Sequence, residues 1–298
     1  MKKKVMIVYH RVDTDGVLSY EIAKKKLSEE GYEVIPCGYN YGDTTPEFPG
    51  DMEMILMVDI SFQPDIMNYL KNFYGIDRVF WIDHHITAIE SSLANGYSDM
   101  KGVREVGIAA CELCWEFFYP NTTTPHLIQY CGAYDVWNKD RFDWNDVLAI
   151  QYGFRNAYGT LIEKIDNDFE RLIQDPNIIS SLKVQGEAIL NYLNRKWKSE
   201  VKNYAFEVQV DGKYKGICIL GTEFSSNVFG SVLDKYDLYI VVNRKGPNVF
   251  NISMYKEPDR VPEFSCGGYR GIIFGHRSAA GGTLNLDQFI DLITNCRI

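Results

Sequence analysis

Long apolar runs are what this 298-residue chain most plainly lacks. None approaches the roughly 20 consecutive apolar residues that cross a bilayer, so no helical membrane span is expected. A disulfide framework is lacking too. The seven cysteines (Cys37, Cys111, Cys114, Cys131, Cys218, Cys266 and Cys296) are odd in number, scattered and unaccompanied by an export signal. Free thiols are therefore expected. Cys111 and Cys114 form a lone C-x-x-C within Gly107–Phe118, a stretch that reads as a mostly buried helix. With no second pair to complete a site, core packing is expected there rather than zinc. Positive charge is also short: 31 Lys and Arg stand against 40 Asp and Glu, a formal net charge of −9. That disfavours a protein that coats long nucleic acid, because such binding neutralises many phosphates with Lys and Arg. A small phosphorylated substrate stays compatible, since bound cations can supply local positive charge. Internal repeats and low-complexity segments are absent.

What is present is ordinary for a soluble globular protein, with 46% hydrophobic and 24% charged residues. The length suffices for two domains, each with its own core. The start, Met1 to Tyr9, superficially resembles a signal peptide, but its apolar stretch is short and runs into His10 and Arg11. It reads as a first strand, and a cytoplasmic location is expected.

Strand and helix alternate through the first part of the chain. Lys4 to Tyr9, Tyr32 to Cys37, Met54 to Val58 and Arg78 to Ile82 read as strands. Val17 to Glu30, closed by Gly31, and Pro64 to Tyr74 read as helices. Gly38 to Asp51, rich in Gly, Pro, Thr and Asn, reads as a loop. This order implies right-handed crossovers and a parallel sheet. Gly107 to about Lys202 reads as mainly helical, broken at Pro120 to Pro125 and at Gly132 to Asp146, with one long connecting helix from Ile178 to Lys202. Beyond it, Phe206 to Val210, Tyr214 to Leu220, Tyr239 to Asn243 and Phe250 to Tyr255 read as strands. Helices are expected near Asn227 to Lys235 and Leu286 to Asn295. The fold class is α/β, with a second α/β domain starting near residue 203.

The chain has five histidines, and two stand together in Val79-Phe80-Trp81-Ile82-Asp83-His84-His85. An apolar run that ends in an acid and two imidazoles reads as a buried strand stopping at its carboxyl end, where open parallel sheets bind ligands. Three of the four early strands end this way. The first gives His10, Asp13 and Asp15, the third Asp59, and the fourth Asp83, His84 and His85. A single Asp at a strand end is often only a cap or turn residue. A convergent set of carboxylates and imidazoles repels itself without a cation. Carboxylate oxygen plus imidazole nitrogen suits a borderline metal such as manganese. His126 matches no motif and reads as structural, and Asp140, Asp143 and Asp146 read as a solvated loop.

Asp83-His84-His85, with His10-x-x-Asp13-x-Asp15-Gly16 upstream and Val58-Asp59 between, resembles the DHH phosphoesterase superfamily. Gly132-Ala133-Tyr134-Asp135-Val136-Trp137 falls where that family has a fourth metal-binding motif. Gly275-His276-Arg277-Ser278-Ala279-Ala280-Gly281-Gly282 resembles the glycine-rich motif of the DHH-associated C-terminal domain. The ordered set is most similar to the nano-RNase and oligoribonuclease branch. The resemblance implies an N-terminal parallel-sheet DHH domain over residues 1–177, holding the metals. A connector helix over residues 178–202 and a smaller C-terminal substrate-binding domain over residues 203–298 would follow. It implies two divalent metal ions, usually Mn2+, with Mg2+ or Co2+ as substitutes. His10 and Asp13 would hold one ion, and Asp15, His84 and Asp135 the other, with Asp59 bridging them. Asp83 would orient an imidazole and His85 would face the substrate phosphate. Many members place the first His one residue farther upstream than His10 stands from Asp13.

In the C-terminal run, glycines let backbone N–H groups approach an anion, and His276 and Arg277 would add charge-assisted bonds to phosphate. Gly275, Ser278 and the nearby Arg270 complete the expected substrate-binding set, and Tyr255 or Phe274 could stack on a base. The expected activity is that of a hydrolase: a manganese-dependent, 3′-5′ exonuclease-like phosphodiesterase. It would cleave short single-stranded oligonucleotides or dinucleotides with water activated by two metals. Membranes and long duplex nucleic acid are not expected partners, and a homodimer is left open. The alternatives are a cyclic-dinucleotide phosphodiesterase, a 3′-phosphoadenosine 5′-phosphate phosphatase, a single-strand DNA exonuclease, and a nucleotide-binding scaffold with an inactive site.

Overall fold

The computed structural model of this protein describes residues 2–257, 259–275 and 277–295. Its first sheet is made by β1 (Lys4–His10), β2 (Glu33–Tyr39), β3 (Met54–Val58) and β4 (Val79–Ile82), all parallel, in the order β2-β1-β3-β4. Side chains alternate across the sheet. Val5, Ile7 and Tyr9 enter one core, while Met6 and Val8 enter another on the opposite face. Helices cover both faces, which is why these strands read as almost unbroken apolar runs. Burying a side chain such as Ile7 completely contributes about 1.5–3 kcal/mol.

The helix after β1, α1 (Thr14–Glu29), starts earlier than the apolar periodicity suggests. Asp13 caps it by accepting from the Gly16 N–H at 2.9 Å. Gly16 is needed there, because a Cβ would lie 2.0 Å from the His10 carbonyl oxygen. The helix Pro64–Tyr74 (α2) lies between β3 and β4 in the chain, as expected from Pro64 in its first turn.

The segment after β4 carries no strong periodicity in the sequence. It forms α3 (Ile86–Asn95), and residues 101–105 then run beside the free edge of β4. Trp81 N–H donates to the Lys101 carbonyl at 2.8 Å, Asp83 N–H to Val103 at 3.1 Å, and Glu105 N–H back to Asp83 at 3.3 Å. This extra ladder holds the Asp-His-His corner at the level of the sheet. Gly102 permits it, with φ of 113° and room for no side chain: a Cβ there would lie only 2.1 Å from the Trp81 carbonyl oxygen.

Helices α4 (Ala110–Phe118), α5 (His126–Asp135), α6 (Trp144–Ala157), α7 (Ile162–Gln174) and α8 (Pro176–Tyr204) follow. Cys111 and Cys114 are buried in α4 as free thiols. The expected break at Gly132 to Asp146 needs correction, because α5 continues to Asp135 and the break spans only the residues before Trp144. Gly132 serves packing there: a Cβ would meet the buried Glu112 carboxylate at 2.4 Å. Asp143 caps α6 through Asn145 N–H at 2.8 Å, and Asp146 pairs with Lys183 at 2.6 Å.

The chain divides into two compact units after Leu190, inside the continuous helix α8. In the second unit, β5 (Phe206–Val210), β6 (Tyr214–Gly221), β7 (Leu238–Gly246), β8 (Val249–Tyr255), β9 (Phe274–Gly275) and β10 (Ala279–Leu284) form one sheet in the order β5-β6-β7-β8-β10-β9. Only β6 and β7 are parallel neighbours among these described strands. The helix α9 (Leu286–Asn295) packs its Phe289 ring on Phe250, with ring centroids 4.4 Å apart.

One expectation changes in this unit. The helix expected near Asn227 to Lys235 is a short 3-10 turn, Ser226–Ser231. The glycine-rich run is largely strand: Gly281 and Gly282 pair with Ser253 and Ile252. A Cβ on Gly282 would lie 2.2 Å from the Ile272 carbonyl oxygen, so close chain packing accounts for that glycine. Among the described residues, no helix is long and apolar enough to cross a membrane.

Gly102→Ala should cost more than about 2 kcal/mol, because it combines an unfavourable φ with a backbone clash. Gly31→Ala is the control: φ is 87° there but no atom lies within 4 Å of the added Cβ. Its cost should stay near about 1–2 kcal/mol. Urea denaturation of both variants checks this, and equal losses would show that the contact between residues 101–105 and β4 is not restrictive.

Candidate metal centre

The carboxyl ends of β1, β3 and β4 are adjacent, and the chemistry-bearing side chains gather there. His10, Asp13 and Asp59 form one group, and Asp15, His84 and Asp135 a second, with the potential ligand atoms of each group within 4.8 Å of one another. Asp59 also groups with His84 and His85, so it adjoins both sets. All six residues expected to ligate metal are thus brought together in the first unit.

His10 Nδ1 lies 2.6 Å from Asp13 Oδ2 and 3.6 Å from Asp59 Oδ2. Its other nitrogen, Nε2, lies 3.1 Å from Asn40 Oδ1. Because an amide oxygen only accepts, Nε2 must carry the hydrogen, which leaves Nδ1 as the free donor nitrogen in the neutral ring. The shorter spacing between His10 and Asp13 therefore still directs an imidazole nitrogen at the carboxylates. Asn40 lies in the loop after β2 and belongs to no spacing pattern, so the sequence alone does not mark it.

His84 Nε2 stands 3.6 Å from Asp15 Oδ2, 3.4 Å from Asp59 Oδ1 and 3.3 Å from Asp135 Oδ2. The Asp15 carboxylate accepts at the start of α4, from Ala110 N–H at 2.9 Å and Cys111 N–H at 2.8 Å. It thereby caps a helix that has no cap of its own. The positive end of that helix favours a negative charge at Asp15. Asp135 is the last residue of α5. The Glu112–Arg141 ion pair, 2.7 Å, packs against Gly132 one turn earlier.

Asp83 is fully buried and directed at His85. Its Oδ1 lies 2.7 Å from His85 Nδ1 and accepts from His84 N–H at 2.7 Å, while Oδ2 accepts from Trp81 Nε1 at 3.0 Å. The contact with Asp83 orients the His85 ring. Its side chain is 28% exposed, against 5% for His84.

Crowding shifts these groups strongly in the metal-free protein. Burial pushes Asp15 well up, with Asp59 and Asp135 adding to it. Burial likewise raises Asp135 to about 7, against the pull of His84. For His10, burial disfavours the cation, but Asp13 and Asp59 outweigh it and raise the imidazole to about 11. Burial is likewise outweighed by Asp59 and Asp15 at His84, raised to about 10, and by Asp83 at His85, raised to about 9. Asp59 is buried as well, yet the His10 and His84 imidazoles hold it below the usual carboxylate range. It also sits at φ 57°, in the left-handed region, a conformation that costs on the order of 1–3 kcal/mol for a side chain without special accommodation.

Asp59 Oδ1 is buried and accepts no hydrogen bond. A buried carboxylate oxygen that faces imidazoles yet accepts no hydrogen bond fits a site for a divalent cation, and mixed oxygen and nitrogen donors fit a borderline ion.

The remaining expected site residues belong to the second unit. Arg270 lies in the Tyr269–Gly271 turn, 3.7 Å from Asp211 and over the Tyr269 ring at 5.4 Å. Gly275 ends β9 with φ of 135°. The Arg277 guanidinium donates to the Pro262 carbonyl, and Ser278 accepts from Lys256 N–H at 2.9 Å through its carbonyl. His276 and the Phe274 side chain lie outside the described residues. His126 is the first residue of α5 and is exposed.

The pH dependence of the metal-free protein follows from these shifts. Asp135 holds its proton from the unfolded value of 3.8 up to about 7, and His84 and His10 hold theirs from 6.5 up to about 10 and 11. All three bind protons more tightly when folded. Their stabilisation is complete below each unfolded value and is lost as pH rises through each folded one. Chelated protein should therefore melt at a lower temperature at about pH 8.5 than at about pH 6. Mn2+ must displace these protons, so its binding should release them and tighten with pH. Melts in chelator and calorimetry in two buffers check both. A rise in chelated stability with pH would contradict the assignment.

No family model matches the chain, and no curated protein matches it in sequence. Solved structures do match it. One described as a DHH domain, from a member of the s1p family of ribosomal proteins, superposes with a TM-score of 0.60 at 13% identity, covering 99% of this chain and 88% of that one. RecJ from Thermus thermophilus, solved in complex with Mn2+, gives 0.56 at 13% identity, covering 98% of this chain. This chain spans about half of RecJ, 51% of its length. At such identity the likeness is one of fold, and it extends over nearly the whole chain: this protein has the fold of DHH-domain proteins.

Proposed function

We propose that this protein is a metal-dependent phosphodiesterase acting on short oligonucleotides or dinucleotides, in the manner of the nano-RNase and oligoribonuclease branch. The observation that carries the proposal is Asp59, a buried and strained carboxylate adjoining two separate three-residue groups of donors. The fold shared with DHH-domain proteins and with a RecJ solved in complex with Mn2+ supports it.

In this reading His10, Asp13 and Asp59 hold one divalent ion, and Asp15, His84, Asp135 and Asp59 hold the other, with Mn2+ favoured. Bound there, two such ions supply an activated water and positive charge for a phosphate under attack. The chain's own residues set the rest. Asn40 fixes the His10 tautomer and Asp83 orients the His85 ring, which is proposed to face the substrate phosphate. Two divalent ions also offset four of the nine net negative charges, all of them at the strand ends where the phosphate must approach. Arg270, Gly275, His276, Arg277 and Ser278 are proposed to bind the rest of the substrate.

Asp59→Asn is the direct functional test, because Asn keeps the shape and tolerates the left-handed backbone. Turnover of a dinucleotide with Mn2+ should fall by more than about 100-fold, since partners that only orient metal ligands are already worth about 10–100-fold. The chelated variant should melt lower than the chelated parent, because the His10 and His84 imidazoles lose a counter-charge. Near-parental turnover would reject Asp59 as a shared ligand.

Asp83→Asn should act through His85 and lower kcat by about 10–100-fold without loss of bound Mn2+. The comparison is kcat against metal content. Equal loss of metal and activity would show that Asp83 supports the centre as a whole rather than His85.

A further inference from the structure

Beside the imidazoles stands a residue that no motif marks. Tyr41 lies in the loop between β2 and β3, with its ring centroid 5.8 Å from that of His10 and 6.4 Å from that of His85, nearly perpendicular to the latter. It therefore adjoins both an expected metal ligand and the imidazole expected to meet the phosphate.

The loop around it is built rather than slack. Arg11 forks onto the Asp43 carboxylate at 3.1–3.3 Å. The same carboxylate accepts from Asn40 N–H at 2.8 Å, and Tyr39 Oη donates to the Asp43 carbonyl at 3.4 Å. The loop thus holds its shape beside the chain that carries the shared carboxylate. Yet 48% of Tyr41 remains exposed. A ring needed only to cover His10 and His85 would be expected to bury itself against them. This one presents apolar surface beside the centre.

We propose that Tyr41 is a stacking platform for the nucleobase of the nucleotide whose phosphate is held at the metal centre. This deepens the phosphodiesterase reading and rests on it for the position of the phosphate. A base lies one sugar away from its phosphate, so a phosphate engaged by His85 brings the base within reach of the ring beside it. Stacking suits a short substrate of mixed sequence, because every base has a π face and a ring does not discriminate strongly among them. Inorganic polyphosphate or a bare sugar phosphate would gain nothing from such a ring. Tyr41 therefore assigns the site to nucleotides, with tolerance for base identity.

The test uses binding rather than turnover, so that it can fail separately from the catalytic reading. Adenosine monophosphate and ribose 5-phosphate are titrated into the Mn2+-loaded full chain by calorimetry, for the parent and for Tyr41→Phe, Tyr41→Leu and Tyr41→Ala. Stacking of one base predicts that adenosine monophosphate binds roughly 5- to 150-fold tighter than ribose 5-phosphate in the parent. Tyr41→Phe keeps that ratio, whereas Tyr41→Leu, which fills the same space without a π face, and Tyr41→Ala both collapse it toward unity. Equal affinities in the parent would overturn the proposal, as would a ratio that survives in Tyr41→Leu. A ratio lost in Tyr41→Phe as well would overturn it, because the phenyl ring keeps the stacking face. A base-dependent ratio in a protein that hydrolyses no phosphodiester would instead leave the platform standing and remove the catalytic reading.

Discussion

Repulsion among carboxylates is the constraint on which the first unit depends. Asp13, Asp15, Asp59 and Asp135 converge at the ends of a parallel sheet, and like charges at this separation raise one another's proton affinity or demand a counter-charge. The chain answers locally in three ways. Imidazoles of His10 and His84 stand between the acids. The start of α4 donates two amides to Asp15. Asp135 retains its proton up to about 7. One buried oxygen, on Asp59, is left with no hydrogen bond. A cluster assembled for stability alone would replace these acids with apolar groups at little cost, because buried charge is expensive to desolvate. That four acids converge here, with Asp59 in the left-handed region, is what the proposed metal centre accounts for.

The topology explains how residues as distant as His10 and Asp135 meet. With the order β2-β1-β3-β4, the strands that carry His10, Asp59 and the Asp-His-His corner are neighbours, and their carboxyl ends share one edge. Helix α1 begins immediately after β1, so its cap Asp13 and its first-turn Asp15 stay at the same level. Residues 101–105 extend the hydrogen-bonded ladder past β4 and fix Asp83, which in turn fixes His85. Positioning thus passes by hydrogen bonds from sheet to backbone corner to carboxylate to imidazole.

Much of this is legible in the sequence, for a definite reason. Buried parallel strands are apolar on both faces, so their abrupt endings at His10, Asp59 and Asp83 stand out without knowledge of the fold. The helices α2 and α9 are readable from Pro64 and from apolar spacing. What is not legible depends on close approach between distant segments. Gly132 reads as a helix breaker until the Glu112 carboxylate is seen against it, and Gly281 and Gly282 carry no strand signal of their own, although β10 pairs them with β8. The edge segment 101–105 has no periodicity because its hydrogen bonds are to one strand only. Asn40 and Tyr41 lie in a loop whose composition signals a turn, and their importance comes solely from what the loop is folded against.

The account rests on two separate cation positions that share Asp59. Crystals of the full chain grown with Mn2+ and measured for anomalous scattering test it most directly. Two strong anomalous peaks are predicted, one bounded by His10, Asp13 and Asp59 and one by Asp15, His84, Asp135 and Asp59. A single peak, peaks remote from these residues, or none at Mn2+ concentrations that support turnover would contradict it.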